Sequence, residues 1–141
     1  MPSSKQDIIQ FLQQSFPPSL ENAEIVEVSD KSAVMLWKVS SIDLRPGGTI
    51  SGPTMMALAD LAMYVAILGE IGLQGLAVTT NMNINFLRKP SGNQNLRGEC
   101  RLIKVGKVLV VGEVWIYSVD LDEPVAHVTG TYSIPPVRSV L

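Results

Sequence analysis

Ser51-Gly52-Pro53-Thr54-Met55-Met56-Ala57-Leu58-Ala59-Asp60-Leu61-Ala62-Met63-Tyr64-Val65-Ala66-Ile67-Leu68-Gly69 is the stretch that decides the fold. From Met55 to Leu68 it holds one charged residue, Asp60. Proline is favoured at the first helical position, so Pro53 opens one, with Gly52 or Ser51 as its cap. The helix runs to about Leu68 and ends near Gly69 or Gly72. Being apolar almost all round, it has to be buried on most of its sides. The apolar run is shorter than the ~18 residues a membrane span needs, and Asp60 interrupts it. A buried core helix, not a span, is expected.

Working outward, Ser4 with Asp7 resembles a reciprocal cap before a helical pattern carrying Ile8, Ile9, Phe11, Leu12 and Phe16. Pro17 and Pro18 stop that short helix. Two strands follow, Ala23 to Val28 and Ala33 to Val39, around a turn at Asp30-Lys31-Ser32. Ser41 to Gly52 is irregular. Beyond the long helix the pattern changes to period two. Val78, Thr80, Met82, Ile84 and Phe86 fall on one face; Thr79, Asn81, Asn83 and Asn85 fall on the other. Leu96 to Lys104 and Val108 to Ser118 form a hairpin across Val105-Gly106-Lys107. A last strand runs from Val125 to Ile134, before Pro135 and Pro136. Consecutive strands suggest an antiparallel meander. The expected architecture is α+β, a curved antiparallel sheet wrapped around one long central helix.

The chain has 141 residues, which suits one domain spanning 1–141. Only 17% of its residues are charged, against ~25% on average, and that scarcity points to faces covered by further subunits. The net charge of −2 provides no basic field for nucleic acid. Cys100 is the sole cysteine and His127 the sole histidine. An internal disulfide is therefore impossible, a structural zinc site is nearly excluded, and a reducing cytoplasm is the simplest home. The first ten residues carry no signal-peptide pattern.

Asp60 is the first candidate for chemistry. A buried carboxylate is costly unless it is partnered. Either it caps a neighbouring loop or pairs with an arginine at an interface, or it serves as general base or nucleophile. Gly52 is the second candidate. It is either a plain cap glycine or a source of the unsatisfied N–H groups at a helix start, which can stabilise an oxyanion. Asp60 follows Gly52 by eight residues, so the two lie ~12 Å apart along one helix. One reacting carbonyl cannot sit within ~3 Å of both. If both act, they come from different chains, and a two-fold dimer with two equivalent sites is required. Thr79 is either a plain strand residue or a hydroxyl that orients water or holds Asp60. Arg88 and Lys89, with Arg97, Arg101, Lys104 and Lys107 beyond, either meet the phosphates of coenzyme A or are solvated strand ends. No base stands beside Cys100, which reads as a plain strand residue; His127 reads as structural.

The run Gly48-x-x-Ser51-Gly52-Pro53-x-x-x-x-Leu58-Ala59-Asp60, followed by Val78-Thr79-Thr80-Asn81-Met82-Asn83-Ile84-Asn85-Phe86-Leu87, resembles the hotdog-fold thioesterases of the phenylacetate-degradation (PaaI-like) type. Gly130-Thr131 before the final prolines fits as well. The resemblance covers Ser41 to Pro135. It implies hydrolysis of acyl-CoA without metal or cofactor, coenzyme A entering only as part of the substrate. It also implies that Asp60 activates water or attacks the carbonyl, that Gly52 polarises the thioester oxygen and that Thr79 assists. Members of that group are dimers or dimers of dimers with sites between subunits. Two departures stand out. The usual His-Gly-Gly at the helix entrance is Ser51-Gly52-Pro53, and Ser51 cannot titrate near neutrality as histidine does. The usual upstream asparagine is Arg45, which, paired with Asp60 across an interface, would hold the carboxyl ionised and weaken it as a base. A silent or weak acyl-CoA binder or assembly module is therefore the alternative expectation. A hydroxyacyl dehydratase is disfavoured because His127 is far from the helix entrance.

Overall fold

Ser4 and Asp7 close a reciprocal cap on the first helix, α1 (Lys5–Ser15): the Ser4 hydroxyl accepts from the Asp7 N–H, and the Asp7 carboxylate accepts from the Ser4 N–H. Pro17 and Pro18 then convert the chain to a single 3-10 turn. The computed structural model describes residues 2–136, so Met1 and 137–141 of the expected 1–141 domain lie outside the described residues. After α1 come strands β1 (Ala23–Ser29) and β2 (Ser32–Trp37), helix α2 (Gly52–Ile71), and strands β3 (Val78–Phe86), β4 (Leu96–Val105), β5 (Leu109–Ser118) and β6 (Ala126–Ser133).

Helix α2 is longer than its apolar run suggests. Gly69 lies buried inside it, and the helix ends at Gly72, whose φ of 102° an L side chain rarely adopts. At 20 residues it is long and apolar enough to cross a membrane, which overturns the expectation based on length. The expectation of a core helix rests instead on packing: Leu58, Ala62, Met63, Val65, Ile67 and Leu68 are fully buried. Three glycines let the helix settle close to the sheet. A Cβ on Gly98 would meet Leu58, and Gly112 and Gly130, paired across β5 and β6, receive the end of Met63.

All six strands pair antiparallel in the order β1-β2-β4-β5-β6-β3. Only β4, β5 and β6 form the expected meander. The strand that follows α2 does not join β2. The helix carries the chain across the sheet, and β3 pairs with β6 at the far edge. Strand β3 holds a second departure. Thr79 pairs with Tyr132 and Asn81 with Thr131, so Thr80 is an extra residue in a β-bulge. A one-residue shift reverses which face a side chain takes. Thr79 therefore points inward with Met82 and Ile84, not outward with the asparagines. Asn81, Asn83 and Asn85 stay exposed on the outer face, opposite Thr131, Thr129 and His127.

Candidate active site

One stripe of α2 is left uncovered by the sheet: Met56 and Ala57 are exposed, and Asp60 and Tyr64 are half-buried. Asp60 Oδ1 accepts from Thr79 Oγ1 at 2.5 Å and from the Tyr132 hydroxyl at 2.7 Å. The same phenol lies 3.0 Å from the Asp60 carbonyl oxygen. Among the described residues nothing donates to Asp60 Oδ2, and that atom is not sealed from solvent. Tyr132 is only 3% exposed. Burial, and then the charge of Asp60, push its phenol well above the usual tyrosine range, so it remains a neutral donor. Tyr64 stacks beside it with ring centroids 6.2 Å apart, and donates to the Gly75 carbonyl at 3.0 Å. The carboxylate lies on the wall of a cavity of about 600 Å³, otherwise mostly apolar, whose lining includes Phe11, Phe16, Leu61 and Val78.

The start of α2 is a second built corner. Ser51 is the cap: its Oγ accepts from the Thr54 N–H at 3.4 Å. Thr54 Oγ1 donates to Asp43 Oδ1 at 2.9 Å, so the 3.1 Å contact between the two hydroxyls has Ser51 as donor. Asp43 Oδ2 accepts from Trp37 Nε1 at 3.2 Å and from the Ser40 N–H at 2.9 Å, and the Asp43 carbonyl accepts from the Ser51 N–H at 2.8 Å. This buried acid was not singled out from the sequence. The signal available was Ser40-x-x-Asp43, the spacing of a capping box.

These contacts decide which N–H the helix start can offer. Pro53, in the second position, has none. The Thr54 N–H goes to Ser51 Oγ and the Met55 N–H to the Ser51 carbonyl. Gly52, the first helical residue, keeps its N–H without a partner among the described residues. A Cβ there would lie 3.0 Å from the exposed ring of Phe86, so glycine also leaves room for that ring. Gly52 and Ser51 do not line the cavity that contains Asp60.

The remaining candidates lie apart. Arg45 is exposed in a turn closed by its own N–H to the Thr49 carbonyl and by the Gly48 N–H to its carbonyl, both at 2.9 Å. No ion pair ties it to Asp60 within the chain among the described residues. Arg88 is engaged with Glu123 at 2.7 Å and the Pro124 carbonyl at 3.1 Å; Lys89 beside it is exposed. His127 lies on the outer face, 2.8 Å from Glu113 and tilted against the Trp115 ring, away from Asp60. Burial, helped by the charge of Glu113, pushes the Cys100 thiol up to about 12, which leaves it inert.

A family model described as Thioesterase superfamily matches residues 47–125, from the helix-entry loop through Gly52, Asp60 and Thr79 to the threshold of β6. The chain belongs to the thioesterase superfamily. The chemistry that goes with this membership is thioester hydrolysis. A protein from Silicibacter sp. TM1040 described as a thioesterase is 41% identical, with a TM-score of 0.87 over 94% of this chain and 92% of that one. The E. coli PaaI protein of the phenylacetic acid degradation operon is 20% identical, with a TM-score of 0.80 over 93% of this chain and 92% of that one. A Streptococcus pneumoniae protein described as a hypothetical thioesterase and solved with coenzyme A is 24% identical, with a TM-score of 0.74 over 94% of this chain and 99% of that one. The last two likenesses speak for the fold alone, and they agree with the expected hotdog architecture, an antiparallel sheet around one long helix. No curated protein matches the chain.

Proposed function

We propose that this member of the superfamily hydrolyses acyl-CoA thioesters to free acid and coenzyme A, with no metal or cofactor, as a homodimer that pairs further into a dimer of dimers. The reading rests on the half-satisfied Asp60 carboxylate on the wall of an apolar cavity. In this reading Asp60 Oδ2 takes a proton from water. The hydroxide adds to the thioester carbonyl carbon, and the N–H of Gly52 of the partner subunit receives the developing oxyanion. Collapse breaks the C–S bond, and the proton on Asp60 passes to the departing thiolate. Asp60 as a nucleophile would use the same free oxygen. Thr79 holds the carboxylate. Ser51 builds the helix start that presents Gly52, and Arg45 closes the loop before it. Lys89 is the better placed cation for the CoA phosphates, since Arg88 already holds Glu123.

The dimer is supported by the ~12 Å between Gly52 and Asp60 on one continuous helix. Further support comes from the exposed apolar groups at the same edge, Met56, Val78, Phe86 and Leu87. The exposed asparagine row on the outer face supports pairing of dimers. The lone, buried Cys100 suits a reducing cytoplasm.

Thiol release from a panel of acyl-CoAs tests the activity. Co-expression of Asp60→Asn and Gly52→Pro chains tests the shared site, because proline fits the first helical position but has no N–H. Each heterodimer then holds one intact site, and its activity should recover to roughly half that of wild type. Two inactive chains that stay inactive when mixed would remove the two-chain site. A second reading, an acyl-CoA binder with little turnover, is favoured by Pro53, which removes an N–H that glycine would offer there. Binding of acyl-CoA without thiol release, unchanged by Asp60→Asn, is its signature.

A further inference from the structure

We propose that Tyr132 is a positioning residue for Asp60: with Thr79 it holds Oδ1 and thereby assigns the chemistry to Oδ2. The inference rests on the reading of Asp60 as the catalytic carboxylate.

Both hydroxyl donors converge on one oxygen, at 2.5 and 2.7 Å, while the other meets no donor among the described residues and is not sealed from solvent. A carboxylate free to turn about its terminal torsion would expose either oxygen. Here the phenol also sits 3.0 Å from the backbone carbonyl of the same residue, so one hydroxyl spans the main chain and the side chain of Asp60. Hydrogen bonds to an ionised acceptor are among the stronger ones, and two on one atom lock its orientation.

Tyr132 is itself fixed. It is buried in β6, its ring lies against Tyr64, and the Thr80 bulge brings Thr79 directly opposite it, so both donors face inward. Tyr132 also lies beyond the 47–125 stretch that the family model matches. Its place at the site follows from its pairing with Thr79 across β3 and β6.

The test is Tyr132→Phe, which removes one oxygen and keeps the ring. With the acyl-CoA that wild type cleaves fastest, kcat should fall on the order of 10- to 100-fold, as for a misaligned catalytic group, while KM stays within about twofold. A second measurement needs no turnover. Infrared difference spectra of carbon-13-labelled aspartate, each protein minus its Asp60→Asn counterpart, isolate the Asp60 carboxylate stretches. Their antisymmetric–symmetric separation should narrow in Tyr132→Phe, because the two oxygens become more alike. Wild-type kcat with an unchanged separation overturns the proposal. So does a loss confined to KM, which would make Tyr132 a pocket wall. If Tyr132→Phe keeps full activity while Asp60→Asn loses it, the catalytic reading stands and the positioning role falls. If wild type cleaves no acyl-CoA, the catalytic reading falls, and an unchanged band separation then overturns the Oδ1 clamp on its own.

Discussion

One carboxylate is tied to the start of the long helix and another projects from its middle, and the protein treats them in opposite ways. Asp43, 5% exposed, has both oxygens occupied, by the Thr54 hydroxyl on one side and by the Trp37 indole and Ser40 N–H on the other. Asp60 has one oxygen occupied twice and the other not at all. Burial alone would nominate Asp43 as the unusual acid. The count of donors per oxygen reverses that choice: a fully satisfied carboxylate is a structural tie, and a half-satisfied one retains an acceptor for a substrate or a water.

The comparison can be broken at its strongest point first. Asp60→Asn should lower kcat/KM by about 10²- to 10⁴-fold, the usual contribution of a general base, while thermal unfolding stays close to wild type. An activity loss matched by a collapse in Tm would put Asp60 in the same class as Asp43. Asp43→Ala should do the reverse. It strands the Trp37, Ser40 and Thr54 donors in a buried corner, at a cost of about 2–4 kcal/mol measured by denaturant unfolding. Stability within experimental error of wild type would show that the Asp43 tie is dispensable. The smallest effect belongs to Ser51→Ala, which removes the helix cap and should cost about 1 kcal/mol. A rise in KM well beyond that loss would give Ser51 a direct contact with substrate.

The long helix and Asp60 were legible in the sequence because a lone acid in an apolar run has a single physical reading at the level of burial. The caps were legible because capping is local, Ser4 outright and Ser51 as one of two candidates beside Gly52. Thr79 was singled out for the right partner but set on the wrong face, since a period-two count assumes a strand without a bulge. Tyr132 could not be found, because its contact with Asp60 closes over 72 residues of sequence. Asp43 was missed because an acid in a loop looks solvated until Trp37 and Thr54 are folded onto it. The placement of β3 at the far edge followed from how the helix crosses the sheet, and no local pattern encodes that.

The bulge in β3 has one more consequence. The residue that it inserts, Thr80, is of the same type as the residue that it turns inward. Were the strand to slip and straighten, Thr80 would take the place opposite Tyr132, and a hydroxyl would still face the acid. The edge strand thus holds two hydroxyls side by side, and the bulge alone decides which of them is turned toward Asp60.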